Sequence, residues 1–351
     1  MTAIVLTVDN VNHALEHGLS YLKYHGVETQ SRNGPVLKAP GPVVTATLKP
    51  AQRVLFSPLR DANPMFHLTE ALWMLAGRND VKPLAAIVPR MGDFSDDGGV
   101  TLNGAYGYRW CRHFGYDQLR EIINELRRDP TTRRCVLSMW DPGSPGASGD
   151  LFKATNGSKD VPCNTHIYFD ASLGALEMTV CCRSNDSVWG AHGANAVHFS
   201  VLHELVAHAA GLPMGTMYQF SNNYHLYVGR ADVRRLYDHA SRALHYQPVD
   251  YYTPHLKERA HAHSLISPEE HYEHFLDDCT RAFEGTELPY RSELYVTRFF
   301  RTVWAPMMHA HAAYKEGDIG EVTRMMKTLL AGNVDWHVDA RRWLAQRLQK
   351  A

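Results

Sequence analysis

Between Val161 and Tyr227 the chain gathers side chains that could do covalent chemistry: Pro162-Cys163-Asn164, Arg183-Ser184-Asn185-Asp186, Asn195 and His225-Leu226-Tyr227, with the pair Arg133-Arg134 upstream. A cysteine attacks as its thiolate, and neighbouring cations lower its pKa from about 8.5 toward neutrality. Arginines that bind a phosphate supply the same field, and Cys163, following a proline at the mouth of a strand, fits such a setting. Each residue alone has a plainer reading. Cys163 would be one more buried thiol, Arg133-Arg134 a solvated turn after Arg127-Arg128-Asp129-Pro130, and His225-x-Tyr227 a pattern common in strands and loops. The cysteines at 111, 135, 163, 181, 182 and 279 form no C-x-x-C pair, so they read as free thiols with no metal site. The histidines are scattered, and His198, His203 and His208 in a helical stretch read as surface or satisfied core residues.

Taken together, the blocks say more. Arg133-Arg134-Cys135-Val136-Leu137-Ser138-Met139-Trp140-Asp141-Pro142, Pro162-Cys163, Cys182-Arg183-Ser184-Asn185-Asp186, Gly190 followed by Asn195, and Asn223-Tyr224-His225-Leu226-Tyr227 resemble, in order and nearly in spacing, the thymidylate synthase superfamily. That superfamily includes pyrimidine nucleotide hydroxymethylases. Upstream, Glu70-Ala71-Leu72-Trp73 is similar to its glutamate-bearing helix, Gly104-Ala105-Tyr106-Gly107 to its Tyr-Gly segment and Arg32 to its mobile phosphate-binding arginine. The resemblance runs from residue 20 to 235. It implies that Cys163 adds to C6 of a pyrimidine, making C5 a carbon nucleophile, and that 5,10-methylenetetrahydrofolate supplies a one-carbon unit. Arg183, Ser184 and Arg32 would bind the 5′-phosphate, Arg183 also activating the thiol. Arg133 and Arg134 would reach the phosphate of a partner subunit, which implies a homodimer. His225 and Tyr227 would hold the sugar 3′-hydroxyl and Asp186 the pterin. Glu70 and Tyr106 would belong to the water network that moves protons to and from ring and folate.

In this alignment Asn195 reads the base edge. A carboxamide offers a donor and an acceptor, matching O4 and N3–H of uracil, whereas cytosine presents the reverse pattern. The expected substrate is therefore dUMP rather than dCMP, with one residue, His192 or Gly193, inserted before Asn195 relative to the synthase spacing. Three departures favour water over hydride as the group that captures the exocyclic methylene. The segment Met91-Gly92-Asp93-Phe94-Ser95-Asp96-Asp97 lacks tryptophan, Asn164 replaces the histidine after the nucleophile, and the sequence closes on Gln349-Lys350-Ala351 rather than a short apolar seal. A wetter site should let water in. The expected reaction is folate-dependent hydroxymethylation of dUMP for modified-DNA precursors. Its rivals are a divergent thymidylate synthase, a dCMP or CMP hydroxymethylase, and a catalytically silent nucleotide-binding regulator.

These residues need a scaffold, and the patterns predict an α+β one: a mixed β-sheet packed by helices, with a helical C-terminal extension. Apolar spacing predicts helices over about 64–76, about 119–126 and from Asn195 to the Gly211-Leu212-Pro213 stop. Alternation predicts strands over 135–140, 165–170 and 176–183, with a hairpin turn at Ser172-Leu173-Gly174. Asp141 to Asp160, rich in Gly, Ser, Pro and Asp, reads as a surface loop. The expected organisation is a catalytic unit over 1–250 and a mainly helical extension over 251–351 packed on it. With 36 basic against 37 acidic side chains in 351 residues, nothing favours a nucleic-acid partner. No apolar run suits a membrane span and Met1-Thr2-Ala3-Ile4-Val5 is unlike a signal peptide, so the expected location is cytoplasmic.

Overall fold

A computed structural model describes residues 3–145, 147–242, 250–253, 259–284, 290–330 and 333–349. The chain opens with β1 (Ile4–Val8), α1 (Val11–His25), the hairpin β2 (Val27–Ser31) and β3 (Gly34–Lys38), and β4 (Val43–Thr47). Then come α2 (Pro64–Leu75), α3 (Lys82–Ile87), α4 (Tyr106–Cys111), α5 (Gln118–Arg128), β5 (Val136–Ser138), α6 (Asp150–Thr155), β6 (Asn164–Asp170), β7 (Leu176–Cys182) and β8 (Asn185–Asp186). The rest is α7 (Asn195–Ala210), β9 (Met214–Ser221), β10 (Tyr224–Leu226), α8 (Ala231–Arg242), α9 (Tyr272–Arg281), α10 (Ala305–Glu316), α11 (Ile319–Thr328) and α12 (Asp335–Leu348). The α+β expectation holds, with a mixed sheet and a helical C-terminal region. The expected helices are α2, α5 and α7, and the expected strands are β5, β6 and β7. Of the N-terminal strands, β2 was not legible, because it is mostly polar, exposed from Val27 to Gln30, and carries no alternation.

Six strands form one sheet in the order β1-β4-β9-β7-β6-β5, and four form a second in the order β2-β3-β10-β8. In the large sheet Leu137, Ile167, Val180 and Gln219 are register partners on the buried face. Against that face lies α7, and α2 packs on α7. Asn63 caps α2, its Oδ1 accepting from Phe66 N at 3.1 Å, and Pro64 occupies the first turn, where its missing N–H leaves nothing unpaired. Every residue of α2 except Phe66 is buried, so it is a central helix rather than an amphipathic surface one.

The segment after residue 250 shares this core. Phe275, Phe300, Trp304 and Leu344 join Leu68, Leu72 and Val201 in one apolar cluster. Trp304 Nε1 donates to Thr69 Oγ1 at 3.3 Å, and Tyr252 OH donates to Asp335 Oδ2 at 2.8 Å. The back of α2 thus rests on α10, leaving its other side for the site.

One expectation is corrected. The stretch from Asp141 to Asp160 is not simply a surface loop, since it contains α6, and Asp150 is wholly buried. The reason is Arg109 on α4. Its guanidinium is equally buried and forms a bidentate pair with Asp150, at 2.7 Å and 2.9 Å. A buried guanidinium without a counter-charge would be strongly destabilising, so the polar segment folds inward to meet it.

Candidate active site

Cys163 stands just before β6, half-buried on the wall of a cavity of about 220 Å³. Arg183, one residue past β7, turns back over it. Its Nε donates to Pro162 O at 2.9 Å and its Nη2 to Val161 O at 3.0 Å, with Nη2 3.9 Å from the sulfur. The residue is exposed, yet its guanidinium faces the thiol segment. Arg32 is exposed in the turn of the β2–β3 hairpin, and its charge also reaches the thiol. Burial nevertheless pushes the Cys163 pKa up, with Arg183 opposing, Asp160 adding to the rise and Arg32 opposing. The depressed pKa expected from the cations is therefore not present in the free protein. Lost hydration outweighs two partly solvated charges.

Tyr106, Asp160 and Glu70 also line the cavity. Tyr106 opens α4 and its hydroxyl accepts from the backbone N–H of Asn164 at 3.4 Å, next to Cys163 in the chain. Burial holds its phenol well above the usual range, with the Cys163 and Cys182 sulfurs adding. Two glycines make this fit possible. A Cβ on Gly107 would lie 1.7 Å from the Met74 carbonyl oxygen, and one on Gly104 would lie 2.6 Å from Asp160 Oδ1. Gly104 N instead donates to Asp160 Oδ2 at 2.7 Å, which seats Asp160 in the cavity wall, its pKa raised by burial. Glu70 on α2 lines the same cavity and meets His198 on α7, Oε2 to Nε2 being 2.9 Å.

Asn195 begins α7 and also lines the cavity. Its Nδ2 donates to Asn185 Oδ1 at 3.0 Å, and Asn185 Nδ2 donates to Ser221 Oγ at 3.0 Å, so β8 and β9 anchor the carboxamide. The segment before Asn195, Ser187–Ala194, is wound as a π-helix with a break at Gly193, φ −111° and ψ −110°.

The other predicted residues lie outside this cavity. Asp186 caps the π-helix, its Oδ1 accepting from Val188 N at 3.0 Å and from Trp189 N, while its buried Oδ2 has no partner. Its register neighbour is His225, and burial raises the carboxyl pKa and lowers the imidazole. His225 stacks edge-on against Tyr227, ring centres 4.9 Å apart. Ser184 is half-buried beside Arg183. Arg133 and Arg134 are exposed before β5 and do not reach the cavity within the chain.

The tryptophan-free segment is less open than expected. Met91 and Phe94 both line the cavity, as does Trp73 from α2, although Phe94 remains 48% exposed. Among the described residues no cluster of three or more histidine, cysteine or carboxylate groups could hold a metal ion. A thiol under an arginine, a carboxamide, a phenol and two carboxylates around one cavity suit covalent addition to a planar, hydrogen-bonding ring.

The family model described as thymidylate synthase matches residues 15–284. The chain belongs to the thymidylate synthase family. Enzymes of this family are one-carbon transferases that use a folate donor. Among its relatives is the deoxyuridylate hydroxymethyltransferase of Pseudomonas phage M6, 41% identical over 355 residues, covering 98% of this chain and 94% of the relative. That of Bacillus phage SP01 is 38% identical over 56% of this chain and 51% of its own length. The thymidylate synthase 1/2 of Encephalitozoon cuniculi (strain GB-M1) is 27% identical over 65% and 79%.

Asp160 and His198 were missed as site residues. Asp160 looked like the end of a polar loop, and its one signal was its place three residues before Cys163. His198 was one of many histidines, but it stands three residues after Asn195. On a helix that spacing puts both side chains on the same face.

Proposed function

We propose that the chain converts dUMP to 5-hydroxymethyl-dUMP, a modified-DNA precursor, with 5,10-methylenetetrahydrofolate as donor. The observation that carries this reading is the convergence of Cys163, with Arg183 upon it, and Asn195, Glu70 and Tyr106 on one cavity. The phage relatives named for deoxyuridylate hydroxymethylation support the choice of substrate and product.

In this reading the sulfur of Cys163 adds to C6 and C5 attacks the folate methylene. Loss of the C5 proton and departure of tetrahydrofolate leave an exocyclic methylene, which water captures. Arg183, Ser184 and Arg32 hold the phosphate, Asn195 pairs with uracil O4 and N3–H, and His225 with Tyr227 holds the 3′-hydroxyl. Asp186 receives the pterin, and its unpartnered Oδ2 suits a donor from that ring. Tyr106 and Glu70 manage the protons.

The reading also includes a cytoplasmic homodimer in which Arg133 and Arg134 of the partner subunit complete the phosphate site. No helix among the described residues is long and apolar enough to cross a membrane. Residues 1–250 form the catalytic unit, and 251–351 support the back of α2. The proposed apolar-seal departure concerns Lys350 and Ala351, which lie outside the described residues.

Incubation with dUMP or dCMP and the folate, followed by mass analysis of the nucleotide, tests the proposal. A gain of CH2O on dUMP is expected. A gain of CH2 together with dihydrofolate would mean a thymidylate synthase instead, and turnover of dCMP alone would refute the role of Asn195.

A further inference from the structure

His198 belongs to none of the sequence blocks that marked the site, yet it is 3% exposed and lines the Cys163 cavity. Other buried histidines are tied to structural partners away from that cavity: His203 Nε2 lies 2.6 Å from Leu176 O and His192 Nε2 lies 2.7 Å from Tyr224 OH. His198 Nε2 is committed to Glu70 Oε2, and its Nδ1 is buried with no partner. A proton on Nδ1 would be a buried, unpaired donor, so the geometry favours the tautomer whose Nε2–H donates to a carboxylate. One oxygen of Glu70 is thereby pinned, and the other is left to the cavity the residue lines.

We propose that His198 is a positioning residue that holds Glu70 as the base for the water step, so that the one-carbon unit ends as a hydroxymethyl group. This deepens the dUMP reading above and rests on it. After tetrahydrofolate leaves, Glu70 takes a proton from water while the oxygen bonds to the exocyclic methylene carbon. The methylene π electrons move through C5 and C4 onto O4 as an enolate. The enolate restores the C5–C6 double bond as the C6–S bond breaks and Cys163 leaves as thiolate, which recovers the proton from Glu70. Substrate, folate and water balance to product and tetrahydrofolate without any redox partner.

Neighbouring groups are otherwise engaged. Asp160 Oδ2 accepts from Gly104 N at 2.7 Å and the Tyr106 hydroxyl accepts from Asn164 N at 3.4 Å, and burial raises the pKa of both. His67, on α2 beside the pair, is held neutral by burial, with Arg60 and His198 adding to the effect.

The test compares wild type, His198→Leu and His198→Gln, assayed with C5-tritiated dUMP and the folate, with and without 2-mercaptoethanol as a competing nucleophile. Tritium release reports everything through loss of the C5 proton, and so also reports that the site is folded. In His198→Leu, hydroxymethyl product should fall roughly 100-fold while tritium release falls less than about 10-fold, and the thiol should collect the stranded methylene as a thioether. His198→Gln, which retains a donor for Glu70, should recover much of the product. Equal loss of tritium release and product in both variants, or unchanged product in His198→Leu, would overturn the role of His198. Absence of hydroxymethyl product from the wild type would instead overturn the dUMP reading.

Discussion

At Cys163 two physical effects oppose each other within one residue's reach. Burial raises the thiol's pKa, and the guanidinium 3.9 Å away pulls it down. Because the folded pKa lies above its ordinary value, the free enzyme holds a thiol at neutral pH and gains thiolate only as the medium becomes alkaline. Alkylation of Cys163 by iodoacetamide, followed by peptide mass mapping, should therefore accelerate through the region above pH 9. Arg183→Gln removes the largest opposing effect, so its profile should move to still higher pH and its rate at a fixed pH should drop. A profile that moves to lower pH would mean that Arg183 does not face the sulfur in solution. Cys163, Arg183 and Asn195 were legible through the joint resemblance of their blocks to one family, since Cys163 alone reads as one more buried thiol. The sign of the thiol's shift was not, since a sequence names charges but not the depth at which a sulfur is buried. His198 was hidden for a related reason: its partner Glu70 is 128 positions away in the chain.

At the scale of elements, the site depends on one close approach. The segment bearing Tyr106 packs so tightly on the end of α2 that Gly107 has no room for a side chain. Gly107→Ala should cost about 1–3 kcal/mol through overpacking and should also weaken catalysis by displacing the Tyr106 hydroxyl. Denaturant unfolding would measure the first and turnover the second. A variant as stable as wild type would show that α4 yields without strain. Just before Asn195 the backbone winds as a π-helix, Ser187–Ala194, with a break at Gly193, where the sequence predicts an inserted residue. The helices were legible from their apolar spacing, α2 and α7 especially, whereas β2 and the two-residue β8 lack any periodic signal. Asp150 was misread with its loop because its partner Arg109 lies 41 positions earlier and nothing local advertises the pair.

For the whole molecule, the large sheet has a second face. Val136, Tyr168, Thr179 and Tyr218 are register partners across β5, β6, β7 and β9, as are Cys181, Phe220, Val44 and Val5 across β7, β9, β4 and β1. Val5, Val136 and Tyr168 are exposed there, an apolar surface suited to a second copy. Arg133 and Arg134 precede β5, the strand at one edge of this sheet. A homodimer sharing its sites predicts complementation. Cys163→Ala and Arg133→Ala/Arg134→Ala proteins should each be nearly inactive, and refolding equal amounts together should restore about a quarter of the activity through sites built from one intact Cys163 and the other chain's arginines. Mixtures no better than their parents would argue that each chain completes its own phosphate site.

The central claim is covalent addition of one sulfur to the pyrimidine. A fluorine at C5 cannot leave as the C5 proton does, so 5-fluoro-dUMP with methylenetetrahydrofolate should stall the reaction after the carbon–carbon bond has formed. Intact-protein and peptide mass spectrometry should then find one nucleotide and one folate on the peptide containing Cys163, and nothing on Cys163→Ala. An adduct on another residue, or turnover of dUMP by Cys163→Ala, would contradict the account.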